Sequence, residues 1–191
     1  MMSQNIEEVK IIQIVDPEQL SPYLPALAVA YQSVFSSPPY NEQFYPAEVQ
    51  DILLRHINTP YQITLLAMYH GEIIGFGLAS PLRSYPEITR QLRGLLPIKH
   101  TYYFTELGVQ KIWRRKGIGR ALTEKRLNLV DRSRYQHIVL RTSDNKDAAY
   151  LMYTNMGFED MGVYTEISAR RVDGSIRTDR RLFLSRLIEQ S

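Results

Sequence analysis

The sequence predicts an α/β fold in a single domain. Segments rich in β-branched residues alternate with segments of helical periodicity, in the order strand, two helices, three strands, helix, strand, helix and two strands. A chain of 191 residues, 44% of them hydrophobic, is long enough for one core and short for two. We therefore expect residues 1–191 to form one domain.

The N-terminal part of the chain predicts one strand and two helices. Residues 8–15 are rich in β-branched residues and indicate a strand, and the Asp-Pro pair that follows is a helix-start signal. One helix is predicted to begin near Pro25, and a second spans roughly 46–57. The aromatic and proline-rich loop Ser36–Tyr45 between them is a candidate wall of the acceptor side of a ligand site.

A hairpin and an irregular segment follow. Residues 62–69 and 72–80 are apolar strands separated by His70-Gly71, where glycine supplies the positive φ of a tight turn. From 82 to 100 the pattern breaks, and we interpret this segment as an inserted loop with a short basic helix near 86–93. Its arginines make it a second candidate for the acceptor side.

The remaining elements alternate between strand and helix. They are a strand at 101–109, a helix at 117–132, a strand at 137–142, a helix at 146–156, and two strands near 158–169 and 178–188 around the turn Asp173-Gly174. Alternation along the 101–109 strand predicts Tyr102, Phe104 and Glu106 on one face and Leu107 and Val109 on the other.

Composition excludes several classes of protein. The absence of cysteine excludes disulfides, thiolate metal sites and a cysteine nucleophile, and the four histidines lack metal-ligand spacing, so no metal is expected. No apolar run reaches the roughly 18 residues of a spanning helix, and the first ten residues lack a secretory pattern. We expect a cytoplasmic protein without membrane contact. The net charge of +3 argues against nucleic-acid binding.

The basic run from Arg114 to Arg120 lies between a predicted strand and a predicted helix. Backbone N–H groups converge at a helix N-terminus, where the positive end of the helix dipole favours phosphate. Gly117 and Gly119 let the backbone approach a diphosphate, and Lys116 and the arginines add charged donors. An ordinary loop with solvated charges has the same local pattern, so the surrounding motif decides between the two readings.

That surrounding motif, ELGVQKIWRRKGIGRAL, resembles the acetyl-CoA signature of the GNAT N-acetyltransferase family, with Arg114, Gly117 and Gly119 at its defining positions. The resemblance implies a mixed, largely antiparallel central sheet of about seven strands, flanked by about four helices. A parallel pair in the middle of this sheet would splay and open a cleft for pantetheine, with a bulge for which Gly108 is suited.

A second segment, NKDAAYLMYTNMGF, is similar to the second signature of the family. Tyr153, Gly157 and Phe158 match it, and glycine after a helix is also the expected C-terminal signal. The segment departs from the pattern at one position, because the family's spacing puts Lys146 where the asparagine usually stands. Asn145 is displaced by one residue, which leaves its contact with the cofactor open.

The resemblance implies acetyl-CoA as the co-substrate, with the backbone of Leu107 and Val109 offered to the thioester and the pantetheine amides. The cofactor-binding residues that it implies are Leu107, Gly108, Val109, Arg114, Arg115, Lys116, Gly117, Ile118, Gly119, Arg120, Asn145 and Tyr153.

Acetyl transfer to an amine requires a base, because an amine is mostly protonated at neutral pH. Glu106 is the candidate, since burial beside Tyr102 and Phe104 would raise its pKa; the alternative is a structural carboxylate paired with an arginine. By resemblance, Tyr153 protonates the departing thiolate. Tyr153 also fits a plain core stripe on its helix, and Tyr150 is the fallback donor.

The sequence supports a direct N-acetyltransferase, and its alternative is an inactive acyl-CoA-binding sensor. The acceptor stays open between a small-molecule amine and a peptide. Arg83, Arg90 and Arg93 of the irregular segment could recruit an anionic acceptor. A homodimer through the terminal strands is a further alternative.

Overall fold

The computed structural model describes residues 8–188. Within them, seven strands form one sheet in the order β1-β2-β3-β4-β5-β7-β6. The strands are β1 Lys10–Ile14, β2 Ile63–Tyr69, β3 Glu72–Pro81, β4 Thr101–Val109, β5 His137–Ser143, β6 Glu159–Arg170 and β7 Ile176–Leu187. The outer limits of the expected 1–191 domain and the first seven residues of the sequence lie outside the described residues.

The sheet is mixed, as the resemblance implied. Among the described strands, only β4 and β5 run parallel, and every other neighbouring pair is antiparallel. The β2–β3 hairpin turns at His70 and Gly71, whose φ angles of 46° and 84° both lie in the left-handed region that the predicted tight turn requires. The predicted seven-stranded, largely antiparallel sheet is therefore confirmed.

Five helices correspond to predicted ones, and the four-residue helix α1 accompanies them among the described residues. The helices are α1 Pro17–Leu20, α2 Leu24–Ser36, α3 Pro46–Ile57, α4 Pro86–Leu92, α5 Ile118–Leu129 and α6 Ala148–Thr154. Helix α6 is shorter than the predicted 146–156, because the Asp147 carboxylate accepts from the backbone N–H groups of Ala149 and Tyr150 and caps the helix there.

Helices cover both faces of the sheet. Helix α5 packs through Ile118 and Leu122 against one face, and α2 and α3 pack through Leu27 and Leu53 against the other. Burial of apolar side chains on both faces explains why β3 reads as a nearly continuous apolar run instead of an alternating one.

The irregular segment 82–100 packs against the sheet. It contains α4 and two short 3₁₀ turns, and Leu82, Ile88 and Leu92 are buried against Tyr103 of β4 and neighbouring strands. The short helix predicted near 86–93 is α4. The segment as a whole adds a third apolar cluster to the face of the sheet that α2 and α3 also cover.

A β-bulge in β4 corrects the predicted alternation. Leu78 of β3 pairs with Glu106 and Ala79 pairs with Phe104, so Thr105 is left over. The extra residue reverses the pattern: Phe104 belongs to the same apolar cluster as Leu107, on the α5 face. The prediction that Tyr102, Phe104 and Glu106 share a face was wrong, because periodicity cannot register an inserted residue.

The bulge lies three residues before the position that the sequence suggested. Gly108 has a different role, because a Cβ there would approach the ring of Phe76 to 2.3 Å. Glycine at this position lets the Phe76 ring cross β4 and fill the core beneath α2.

The parallel pair separates after a few residues. Strands β4 and β5 pair only from Thr101 to Phe104 on one side and from His137 to Leu140 on the other. Beyond Phe104, β4 continues alongside β3 while β5 continues alongside β7. The backbone edges of the two strands are consequently open to each other, which is the predicted splay.

Candidate active site

The turn before α5 is held by Arg114. Its guanidinium donates to the backbone carbonyls of Val109, Pro38 and Val34, at 3.0, 2.8 and 3.4 Å. These bonds tie the turn to the end of β4 and to the C-terminal part of α2. The side chain of Arg114 is thus directed into the protein and fixes the shape of the turn.

Gly117 is the N-cap of α5 and has a φ of 80°, which a side chain would make strained. The first hydrogen bond of the helix runs from the Ala121 N–H to the Gly117 carbonyl, at 2.9 Å. The N–H groups of Ile118, Gly119 and Arg120 therefore have no partner within the helix, as at any helix N-terminus. They offer an anion three donors at the positive end of the helix dipole.

A groove of about 630 Å³ leads from this turn into the splay between β4 and β5. Its walls come from the end of α2, the loop that follows it, β4, the turn before α5, and α6. The lining residues are Val34, Pro39, Tyr40, Leu107, Val109, Trp113, Arg114, Arg115, Gly117, Ile118, Gly119, Arg120, Lys146, Asp147, Ala148, Ala149, Leu151, Met152 and Asn155.

The groove fits an elongated ligand with an anionic end. A Cβ at Gly119 would project to within 3.7 Å of the Met152 sulfur and 3.8 Å of the Leu107 and Val109 side chains. Glycine keeps this part of the groove open. The unpartnered N–H groups of α5 lie at one end and apolar side chains line the middle, which matches a diphosphate followed by pantetheine.

Some of the predicted cofactor-binding residues lie outside the lining of this groove. Lys116 places its ammonium over the Trp113 ring, 4.8 Å from the centroid, and Gly108 is buried beneath Phe76. Asn145 lines a neighbouring pocket beside Ser143, to whose hydroxyl its backbone N–H donates. Lys146, which the family spacing puts at the asparagine position, lines the groove, and so does Asn155 of the turn after α6.

A second cavity, of about 220 Å³, adjoins the groove and contains both predicted catalytic residues, Glu106 and Tyr153. Tyr40, Leu107 and Ala149 line both cavities. We call this second cavity the acceptor pocket. The remaining lining residues are Tyr31, Phe35, Glu42, Phe44, Phe104, Thr105, Arg141, Thr142, Ser143, Ile167 and Arg181.

Glu106 projects from the bulge into the acceptor pocket. Burial raises the pKa of its carboxyl to about 7, and the nearby Arg141 guanidinium opposes this increase. Glu42 raises the same pKa further, and the Tyr31 phenol lowers it by donating to the carboxylate. Burial acts in the predicted direction, but the aromatic neighbour across the pocket is Tyr31 of α2, and Tyr102 lies on the other face.

The loop between α2 and α3 closes one side of the acceptor pocket. Glu42 accepts from Arg181 at 2.8 Å and lies 3.6 Å from Arg171, whose side chain is 5% exposed. Arg171 also donates to Asp179 at 2.6 Å and to the Tyr40 carbonyl at 2.5 Å. Two cations of the β6–β7 hairpin thus hold the loop in place through buried ion pairs.

Sequence reasoning flagged this loop without identifying Glu42, and it missed Tyr31 and Arg141 as neighbours of Glu106. Tyr31 belongs to the apolar face of α2, and Arg141 belongs to a predicted strand. Arg83, Arg90 and Arg93, which were expected to recruit an anion, line neither cavity. Their place in the sequence gave no information about distance from Glu106.

Tyr153 lies at the back of the acceptor pocket, with 5% of its surface exposed, and packs against Phe158. It therefore has both properties that the sequence left open, because it belongs to the hydrophobic core and also lines the pocket. Tyr150, the fallback donor, lines neither cavity, and its hydroxyl donates to the Asp160 carboxylate at 3.4 Å.

Arg126 of α5 is buried behind the bulge. One terminal nitrogen donates to the carbonyls of Leu78 and Glu106, both at 3.1 Å, and the other donates to the Thr123 hydroxyl. The guanidinium lies over the Phe104 ring, 4.3 Å from the centroid, and burial lowers its pKa. An arginine in the apolar stripe of α5, between Leu122 and Val130, is a signal that sequence reasoning could have used.

Residues 8–188 lack two features that would have indicated other functions. These residues contain no helix long and apolar enough to cross a membrane. They also contain no group of three or more histidine, aspartate or glutamate side chains arranged to hold a metal ion.

Comparison with known structures supports the fold. The ribosomal-protein-alanine N-acetyltransferase of Brucella melitensis superposes with a TM-score of 0.67 at 16% identity, covering 93% of this chain and 99% of that one. The ribosomal-protein-S18-alanine N-acetyltransferase of Escherichia coli gives a TM-score of 0.65 at 14% identity, covering 96% of both chains. At such low identity, the similarity extends to the fold alone.

Sequence relatives and a family model identify the family. N-acetyltransferase family 8 member 3 of Rattus norvegicus is 28% identical over 134 residues, 69% of this chain and 54% of that protein. N-acetyltransferase 8F1 of Mus musculus is 27% identical over 117 residues, 61% of this chain and 48% of that protein. The chain spans about half the length of these curated relatives. The model of the acetyltransferase (GNAT) family matches residues 26–158, and the chain belongs to that family.

Proposed function

We propose that the protein is an N-acetyltransferase that transfers an acetyl group from acetyl-CoA directly to a primary amine. One observation carries the proposal: the groove with the anion-binding helix end and the pocket with Glu106 meet at Leu107. A donor in the groove and an acceptor in the pocket would therefore react side by side, and proximity of this kind contributes several kcal/mol to catalysis. The N-acetyltransferase names of the relatives agree with this reaction.

In this proposal, the α5 end of the groove holds the donor. The N–H groups of Ile118, Gly119 and Arg120 would bind the diphosphate, and the backbone of Leu107 and Val109 would bind the pantetheine amides along the open edge of β4. Acetyl-CoA supplies the activated acetyl group. Val109 already accepts from Arg114, which keeps the end of the strand in place.

Glu106 acts as the base. With a pKa of about 7 it is ionised often enough near neutral pH to take a proton from the acceptor amine, directly or through water. Tyr153 gives a proton to the departing sulfur. The new C–N bond replaces the C–S bond, and the proton lost by nitrogen balances the proton gained by sulfur.

The proposal is tested by measuring release of free thiol from acetyl-CoA with a panel of amines that includes polyamines, amino acids, aminoglycosides and peptide N-termini. The chain contains no cysteine, so a thiol reagent reports only the coenzyme. Calorimetry measures acetyl-CoA binding in parallel. We expect both binding and amine-dependent release. The control Lys125→Met, at an exposed position of α5, should keep both.

Binding without release for any amine would contradict catalysis and leave the acyl-CoA sensor as the explanation. Absence of binding would contradict the groove assignment itself. A turnover rate unchanged in Glu106→Gln would contradict the role of Glu106 alone.

A further inference from the structure

The acceptor pocket contains an arginine, Arg141, that forms no ion pair among the described residues. Among its charged residues, Glu42 and Arg181 pair with each other, at 2.8 Å, and Arg181 also contacts Asp179. Arg141 forms no ion pair with any residue of the range 8–188, and Glu106 lies beyond ion-pair distance of it although both line the same cavity. A cation in a confined pocket that forms no ion pair with the protein is available for an anionic ligand.

Arg141 is held in one orientation. Its Nε donates to the Tyr103 hydroxyl at 2.7 Å, and Tyr103 is 2% exposed and packed edge-on against Tyr85 at 5.1 Å. This bond uses the one donor on the stem side of the guanidinium. The two terminal nitrogens donate no hydrogen bond within the part of the chain that the structure describes. They form the fork that binds a carboxylate through two parallel hydrogen bonds.

The geometry of the sheet puts this fork near the proposed base. Arg141 comes directly after the β5 residues that pair with β4, and Glu106 comes directly after the bulge in β4. Both residues are thus at the point where the strands splay, on the face covered by α2. The Arg141 charge is also the strongest charge acting on the Glu106 carboxyl.

The pocket is small and its cover is fixed. The ion pairs of Arg171 and Arg181 with Glu42 hold the loop between α2 and α3 over a volume of about 220 Å³. The remaining wall is largely aromatic, from Tyr31, Phe35 and Phe44. This enclosure favours a small molecule over the terminus of a folded protein.

We infer that the acceptor is a small amino acid-like molecule, whose carboxylate binds the fork of Arg141 while its amine faces Glu106. This inference rests on the proposed acetyl transfer and narrows its substrate class. Arg141 is then the residue that selects acceptors with a carboxylate, and Tyr103 is the residue that positions it.

The test compares matched acceptors. Amino acids with aliphatic, aromatic, acidic and basic side chains, and ω-amino acids such as 4-aminobutyrate, are each paired with the amine that lacks the carboxylate and with the carboxamide. For each pair the ratio of kcat/KM is measured at pH 9, about two units above the Glu106 pKa of about 7. We expect the best carboxylate-bearing acceptor to exceed its partner by about 10- to 100-fold, the usual effect of a hydrogen-bonded charge.

Three variants assign that preference to the fork. Arg141→Met should remove the preference, Arg141→Lys should restore part of it through charge alone, and Tyr103→Phe should weaken it by freeing the guanidinium. Arg55→Met, on the exposed face of α3 and outside both cavities, is the matched control and should keep the wild-type ratio. Calorimetry with acetyl-CoA checks that each variant is folded.

The outcomes distinguish a failure of the proposed acetyl transfer from a failure of the carboxylate preference alone. If acetyl-CoA binds and no amine reacts, the transferase proposal fails and this inference fails with it. If amines react but the carboxylate gives no advantage, only this inference is overturned. An arginine that merely tunes Glu106 would shift the pH profiles of all acceptors alike and leave the ratio unchanged in Arg141→Met, which also overturns it.

Discussion

The guanidinium of Arg126 donates a hydrogen bond to the backbone carbonyl of Glu106 at 3.1 Å, and the same nitrogen donates to the carbonyl of Leu78 on the neighbouring strand at 3.1 Å. Leu78 and Glu106 are paired residues of β3 and β4 directly beside the bulge. The arginine therefore bridges the strands at the point where the bulge interrupts their pairing. A buried cation of α5 thus sets the position from which the proposed base projects.

Arg126→Met should destabilise the protein and slow acetyl transfer. The methionine would leave the carbonyls of Leu78 and Glu106 buried without their donor, at a cost of about 1–3 kcal/mol for each group that water cannot reach. We expect the free energy of unfolding in urea to fall by about 2 kcal/mol or more, and kcat to fall with little change in acetyl-CoA affinity. Lys125→Met, on the exposed side of the same helix, is the control. Wild-type stability and kcat in Arg126→Met would show that the bridge is dispensable.

The rate of transfer should rise with pH through about 7. Only the ionised carboxylate of Glu106 can accept a proton, and its pKa is about 7. At pH 6 we therefore expect about a tenth of the maximal rate. Measurement of kcat from pH 5.5 to 9 tests this. Glu106→Gln should lower kcat by about 10²- to 10⁴-fold and lose this dependence; the same profile in that variant would point to another titrating group.

Glu106→Gln should also stabilise the fold at alkaline pH. Burial holds the pKa of Glu106 near 7, above its ordinary value of 4.5, so the folded state binds the proton more tightly than the unfolded state. The resulting loss of stability develops as pH rises from about 4.5 to 7. At pH 8 the free energy of unfolding in urea should be higher in the variant than in the wild type by up to about 3 kcal/mol. At pH 4.5 the two proteins should differ little. Equal effects at the two pH values would argue against a buried carboxylate.

Gly119→Leu should weaken acetyl-CoA binding. The Cβ would enter the groove 3.8 Å from Leu107 and 3.7 Å from the Met152 sulfur, and the remaining carbons of leucine would occupy the space proposed for the coenzyme. We expect the Kd from calorimetry to rise by at least about tenfold. Asn128→Leu, exposed near the other end of α5, controls for adding a large apolar side chain to this helix. Unchanged affinity would move the coenzyme out of this part of the groove.

The elements of the fold were predictable because their signals are local. The positive φ angles of His70 and Gly71 belong to a two-residue turn that the dipeptide itself favours. The position of Gly117 before a helix likewise needs only neighbouring residues to be recognised. Both family signatures are contiguous, so the resemblance also required no knowledge of packing.

The faces of Tyr102 and Phe104 relative to Glu106 were not predictable, because they depend on strand pairing. Thr105 is an extra residue only by comparison with β3, and nothing within β4 reports this. Similarly, Asn145 has the residue type expected at the second signature, yet a one-residue displacement in the turn before α6 moves it to a different pocket. A change of one residue is small in sequence and reverses a side chain in a strand.

Residue patterns alone were thus sufficient for the order of strands and helices, the tight turns, the glycine N-cap of α5 and the choice of Glu106 as a candidate base. Each of these follows from backbone preferences and from side chains close together in the chain. The tertiary structure decided which groups surround that base. Tyr31, Glu42 and Arg141 come from a helix, a loop and a strand that are distant in sequence, and only the packing of α2 and the β6–β7 hairpin around the splayed strands brings them into one pocket.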